Sequence, residues 1–195
     1  VEASGAVNGC VVAVRPSTGE ILAMANCPSV DLNSTREFGS GDFLNLATNL
    51  PFEPGSTFKP FVACALLGGG HVSPGDSIFC ENGSWRLGRR TIRDVHHYGN
   101  LSFIDVIAKS SNIGMAKLVQ HTDDSRLYRV LRSFGFGNYT GSAFSGEDRG
   151  QFNPPDNWDG ATKTSLAIGY GLMVTPLQMA MAYAALANDG VLLEP

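Results

Sequence analysis

Charge is scarce in this 195-residue chain: Asp, Glu, Lys and Arg make up 16% of it, the formal net charge is −4, and the arginines are scattered. Such a distribution builds no basic face, which argues against a nucleic-acid partner. Long apolar runs are also lacking. Nothing approaches the roughly 18 consecutive apolar residues of a membrane span, and the N-terminus does not show the basic-then-apolar order of a signal peptide. Any targeting segment is therefore expected outside this chain. The four cysteines, Cys10, Cys27, Cys64 and Cys80, have neither CxxC spacing nor the density of a disulfide scaffold. Cys10 opens an apolar run over 10–14, and Cys64 sits among Phe61, Val62, Ala65 and Leu66. Both read as buried free thiols acting as small hydrophobes, with one disulfide left open. His96 and His97 lie beside Asp94, but adjacent histidines cannot share one helical face and no further ligand is suitably spaced. No metal and no cofactor is expected.

Against these shortages, 43% of residues are hydrophobic and 23 are glycine, which describes a globular chain with many turns. Its length suits a single domain over 1–195. Two short β-like runs, 10–14 and 21–25, are joined by Arg15-Pro16-Ser17-Thr18-Gly19-Glu20 and predict a hairpin. Residues 26–55 form a long connection with little periodicity. From Ser56 the pattern turns helical, with Phe58, Phe61, Val62, Ala65 and Leu66 on one stripe and Gly68-Gly69-Gly70 as its close. Pro60 lies about one turn in and blurs the helix start.

Residues 71–100 read as a loop-rich excursion. Ser102 and Asp105 then form a capping pair that opens a helix over 103–109, and 112–120 is a second helical stretch. A third, over 125–134, stops at Gly135. Thr175-Pro176-Leu177-Gln178 supplies an N-cap, a first-position proline and a capping-box glutamine for a helix running to 187. Helices following a hairpin, without regular βαβ alternation, place the chain in the α/β (α+β) class.

Chemistry concentrates in Glu53-Pro54-Gly55-Ser56-Thr57-Phe58-Lys59-Pro60. Residues three apart share a helical face, so the Ser56 hydroxyl and the Lys59 amine can approach one another. A neutral lysine amine can deprotonate a serine, provided that burial or a nearby cation lowers its pKa. The unpaired N–H groups of a helix start would favour the oxyanion formed when that serine attacks a carbonyl. Ser-x-x-Lys alone decides nothing, because with so few lysines one such pair still arises by chance in about one chain of this kind in four. A second element, Ser110-Ser111-Asn112, lies between two predicted helices, where a hydroxyl and a carboxamide could point into one cleft.

Ser-x-x-Lys followed about fifty residues later by Ser-x-Asn resembles the class B penicillin-binding proteins. Thr18-Gly19-Glu20-Ile21-Leu22-Ala23-Met24-Ala25, the block around Ser56, Lys109-Ser110-Ser111-Asn112-Ile113-Gly114-Met115 and Thr175-Pro176-Leu177-Gln178-Met179-Ala180 are similar to that family's transpeptidase domain, in its order. The resemblance implies a penicillin-binding/β-lactamase-like fold, an antiparallel sheet flanked by helices. It also implies a peptidoglycan D,D-transpeptidase in which Lys59 activates Ser56, Ser110 relays a proton, and Asn112 binds both Lys59 and the substrate amide. Partners implied are peptidoglycan stem peptides, as D-Ala-D-Ala donor and amine acceptor, β-lactams, and membrane-bound division or elongation proteins. The implied location is the outer face of the plasma membrane, through an N-terminal anchor.

The family's third motif, Lys-Thr/Ser-Gly, is expected beyond Pro195 with the remaining C-terminal strands. Lys163-Thr164-Ser165 ends in serine, precedes the last helix, and does not stand in for it. Two other readings fit the same residues. One is a β-lactam sensor or β-lactamase, which shares the acyl-serine step; the other is a catalytically silent scaffold of the wall-synthesis machinery.

Overall fold

The computed structural model describes residues 2–31, 33, 39, 43–70 and 72–195. Its strands are β1 (Gly9–Val14), β2 (Ile21–Cys27), β3 (Ser77–Phe79), β4 (Ser84–Leu87), β5 (Arg90–Arg93) and β6 (Asn100–Ser102). Its helices are α1 (Leu46–Asn49), α2 (Lys59–Leu67), α3 (Phe103–Ala108), α4 (Asn112–Leu118), α5 (Asp124–Ser133), α6 (Thr162–Leu166) and α7 (Pro176–Ala187). Among the described residues the strands form three antiparallel pairs, β1–β2, β3–β6 and β4–β5. The chain divides into two compact units: 1–52 with 134–151 and 173–195, and 53–133 with 152–172.

In the first unit β1 and β2 form the predicted hairpin, with Val12 opposite Met24 and a register shift between Ala13 and Val14. Its turn closes through Arg15 N–H to the Glu20 carbonyl at 2.8 Å and Gly19 N–H to the Arg15 carbonyl at 2.9 Å. Helix α7 starts where the sequence places it. Thr175 Oγ1 accepts from Gln178 N at 3.1 Å, and Gln178 Oε1 accepts from Thr175 N at 2.9 Å. This reciprocal pair satisfies donors that a helix start otherwise leaves orphaned. The other end of the Gln178 amide donates to the carbonyls of Asn138 and Arg149, at 2.6 and 2.9 Å, so a capping residue also pins two loops. The long connection over 26–55 falls partly outside the described residues. Its described end carries α1, capped by Asn45.

The second unit holds the catalytic candidates. Phe58, Phe61, Val62 and Leu66 from the Ser56 stripe are fully buried, as are Ile113 and Met115 on α4 and Leu127 and Leu131 on α5. Each such side chain contributes about 1.5–3 kcal/mol on burial. Helix α2 packs on α5 and on α3.

The helix start at Ser56 differs from the periodic reading. Residues Gly55–Phe58 form a 3-10 turn, and the α-helix begins at Lys59. Pro60 is the cause. It has no N–H to donate to the Ser56 carbonyl four residues back, so the Lys59 N–H takes that carbonyl instead, three residues back.

The excursion over 71–100 contains β3, β4 and β5, and residue 71 lies outside the described set. Helix α4 is shorter than predicted, passing into a 3-10 turn at Val119–His121. All four cysteines are free. Cys80 is fully buried, whereas Cys10 and Cys64 are partly exposed rather than sealed in the core. Burial pushes all three of these thiols above their ordinary range.

Candidate active site

Two glycines set the approach to Ser56. Gly55 has φ +56° and donates to the Gly169 carbonyl at 2.9 Å. Gly169 has φ +80°, and a Cβ there would stand 1.8 Å from the Gly55 carbonyl oxygen. Only backbone without a side chain passes this closely. Glu53 adds a second tie, accepting from Gly171 N–H at 2.9 Å through Oε1. The segment 168–171 thus braces the residues that lead into the nucleophile candidate.

In a 3-10 turn residues three apart eclipse, so Ser56 and Lys59 lie along one edge. Ser56 is exposed, whereas Lys59 is only 1% exposed. The Lys59 ammonium donates to the Ser110 carbonyl at 2.6 Å, to Ser110 Oγ at 2.9 Å and to Asn112 Oδ1 at 2.8 Å. These three acceptors use all three ammonium protons. Among the described hydrogen bonds none joins Ser56 to Lys59, which differs from the reach expected of their spacing. The amine must give up a proton before its lone pair can serve the serine. Desolvation favours that loss, lowering the Lys59 pKa from 10.5 to about 8, with the negative charge of Asp94 opposing.

Ser110 has φ +56°, a left-handed conformation that costs a non-glycine residue energy. It brings both the carbonyl and the hydroxyl of one residue onto the same amine. Asn112 is oriented from its other end: Nδ2 donates to the Arg93 carbonyl at 3.0 Å. That leaves one amide proton uncommitted in this network. Three of the four predicted residues therefore form one hydrogen-bonded cluster, and Ser56 stands beside it on the edge it shares with Lys59.

Sequence reasoning missed Asp94. Its position beside His96 and His97 suggests only a metal ligand, a reading the sequence itself disfavours. In the fold His97 Nδ1 lies 2.7 Å from the Asn82 carbonyl, and His96 packs edge-on to Tyr98. Asp94 instead accepts from Ser111 Oγ at 2.7 Å, Asn112 N at 2.5 Å and Ile113 N at 3.0 Å. The sequence carries no usable sign of this role, since Asp94 follows Arg93 directly and its partners lie 17 to 19 residues on. Lys163 lies in α6 and pairs with Asp124 at 2.6 Å.

Comparison with known proteins agrees with this architecture. Residues 9–195 match the family described as "Penicillin binding protein transpeptidase domain". Penicillin-binding protein PbpB of Mycolicibacterium smegmatis is 38% identical over 200 residues, covering 100% of this chain and 30% of that protein. Peptidoglycan D,D-transpeptidase FtsI of Escherichia coli K12 is 36% identical over 186 residues, covering 95% of this chain and 31% of that protein. A solved structure described as a peptidoglycan glycosyltransferase from Burkholderia ambifaria superposes with a TM-score of 0.89 at 31% identity, covering 99% of this chain and 57% of that one. The TP domain of Burkholderia pseudomallei penicillin-binding protein 3 gives 0.84 at 30%, over 96% of this chain and 52% of that one.

Helices mixed with antiparallel strand pairs thus make an α/β fold of the penicillin-binding type. The chain belongs to the penicillin-binding protein transpeptidase domain family, and it spans about 30% of the length of these curated relatives.

Proposed function

We propose that this chain, as a single domain over 1–195, is the acyl-transferring part of a serine D,D-transpeptidase. The observation that carries the reading is the buried Lys59 amine, held by Ser110 and Asn112 beside an exposed Ser56. Neutral Lys59 takes the Ser56 proton while Ser56 Oγ bonds to the carbonyl carbon of the penultimate D-alanine of a stem peptide. Ser56 is the second residue of its 3-10 turn, where N–H groups have no partner within the turn, so its N–H is one group suited to the oxyanion. The C–N bond to the terminal D-alanine then breaks. Its nitrogen receives the proton through Ser110, and the acyl group stays on Ser56 as an ester. The free Asn112 amide proton binds the peptide backbone of the donor. An amine from a second stem attacks the ester, forms the cross-link and returns Ser56 to its hydroxyl state. A β-lactam ring enters the first half of this cycle and leaves Ser56 acylated.

Supporting this assignment, relatives named as peptidoglycan D,D-transpeptidases align with nearly the whole chain. Among the described residues no helix is long and apolar enough to cross a membrane. The full-length protein is proposed to be anchored by an N-terminal segment outside this chain, facing the wall among membrane-bound division or elongation proteins.

Full-length protein given a peptide ending in D-Ala-D-Ala and an amine acceptor should release D-alanine and form the cross-linked product. Below about pH 8 most Lys59 is protonated and cannot act as base, so the acylation rate should rise with pH and level off above that value. A rate that falls across the same interval, or no D-alanine release by folded protein, would contradict the assignment.

A further inference from the structure

We propose that Asp94 is a positioning residue of the acylation site: its carboxylate fastens the first turn of α4 so that the acceptors of Ser110 and Asn112 converge on Lys59. The inference rests on the transpeptidase reading and adds to it a group that touches neither substrate nor nucleophile.

The latch is built from both carboxylate oxygens. Oδ1 takes the N–H groups of Asn112 and Ile113, and Oδ2 takes the Ser111 hydroxyl proton. Ser111 Oγ in turn accepts from Gly114 N at 2.9 Å. Three of the four N–H groups that a helix start leaves orphaned are thereby satisfied, two of them by a carboxylate from outside the helix. Ser111 is fully buried and Cys80 Sγ lies 3.4 Å from its hydroxyl, so the turn is fixed from within as well.

What the latch holds in place is a conformation the chain would not choose alone. Ser110 sits at φ +56°, and no glycine or asparagine is there to ease it. Tying Ser111, Asn112 and Ile113 on its C-terminal side supplies the over-determination that such a residue needs. Arg93 reinforces the arrangement from the adjoining position, its carbonyl accepting from Asn112 Nδ2. Residues 93 and 94 thus orient Asn112 through both its side chain and its backbone, and β5 is the element that delivers them.

Asp94 also brings the negative charge that acts on Lys59. Cys80, a thiol that burial raises and on which Asp94 also acts, lies against Ser111, and the Arg93 side chain belongs to the residue next to Asp94. Cys64 on α2 is a thiol raised by burial, Lys109 pairs with Asp105, and Lys117 pairs with Glu81. Ser110 and Asn112 do not titrate in this range.

Three variants of the full-length protein separate position from charge. Asp94→Glu keeps the charge and lengthens the arm by one methylene. It should acylate with penicillin at least about tenfold more slowly, with the pH limb still centred near 8. Asp94→Asn keeps the shape, since Oδ1 can still accept both backbone N–H groups. Its acylation should persist, with the limb displaced toward acid because Lys59 loses its stabilising anion. Asp94→Ala removes the latch and should slow acylation on the order of a hundredfold at saturating penicillin, with a smaller change in the affinity of the prior complex.

NMR titration of the Lys59 ammonium gives a readout independent of turnover, with a lower midpoint expected for Asp94→Asn. Parent-like acylation in Asp94→Glu and Asp94→Ala would overturn the proposal, as would an unmoved Lys59 titration in Asp94→Asn. If the alanine variant does not fold, the other two decide. Failure of the parent protein itself to acylate would instead refute the transpeptidase reading, while the Lys59 titration would still judge Asp94.

Discussion

Lys59→Met is expected to slow acylation of the full-length protein by penicillin on the order of a thousandfold and to abolish its rise with pH. Methionine is unbranched and of similar length, so it fills the space of a side chain that is only 1% exposed. What it removes is the amine. A general base contributes about 10²–10⁴ in rate, and among the described hydrogen bonds Lys59 is the titratable group that uses the Ser110 and Asn112 acceptors. Stability should change little. The variant sheds a buried ammonium, which is costly to desolvate, but leaves the three acceptors without their donor, and these effects oppose one another. The check is the second-order acylation rate against pH, with a thermal melt as control. A variant within about tenfold of the parent would mean that Ser56 is activated by something other than Lys59.

Gly169→Ala is expected to destabilise the protein by about 3 kcal/mol or more. The new Cβ would lie 1.8 Å from the Gly55 carbonyl oxygen and 2.7 Å from Gly55 Cα, and neither is a flexible side-chain end that can swing away. Overpacking of this kind costs about 1–3 kcal/mol, and an alanine at φ +80° adds strain of its own. At roughly 2–4 °C per kcal/mol for a protein of this size, the melting temperature should fall by on the order of 10 °C. Gly55 is bonded to Gly169 and adjoins Ser56, so any relief of the clash displaces the nucleophile. Acylation should therefore slow in the fraction that remains folded. A melt matching the parent's would show that these two backbones have room the structure does not give them.

Local chemistry in this chain is legible and long-range chemistry is not. Ser56 and Lys59 are three residues apart, a spacing that by itself puts them on one edge, whereas Ser110 and Asn112 are close in sequence but meet on Lys59 only through the left-handed backbone of Ser110. The capping box at Thr175 and Gln178 and the cap of Ser102 onto Asp105 are likewise local, and both form as read. Joining the two pairs took the family resemblance, because nothing in residues 60–109 announces that Lys59 will meet Ser110 across α2 and α3.

Asp94 escaped for the same reason, since its partners lie 17 to 19 residues away and the intervening residues contain a strand and a helix. The strands within 71–100 are three or four residues long, too short for alternation to rise above noise. Helix α6 is five residues long and polar at Thr162, Lys163, Thr164 and Ser165, so it offers no apolar period. Pro60 was visible as a blemish. Its effect, a 3-10 turn under the nucleophile candidate, follows from one missing N–H that periodicity does not register.

The most direct test of the acyl-serine account is intact-mass analysis of the full-length protein after exposure to penicillin, with Ser56→Ala alongside. The account predicts one stable adduct of the drug's mass on the parent, mapped by peptide digestion to Ser56, and none on the variant. A folded parent that gains no mass, or a Ser56→Ala variant that gains the same mass, would contradict it.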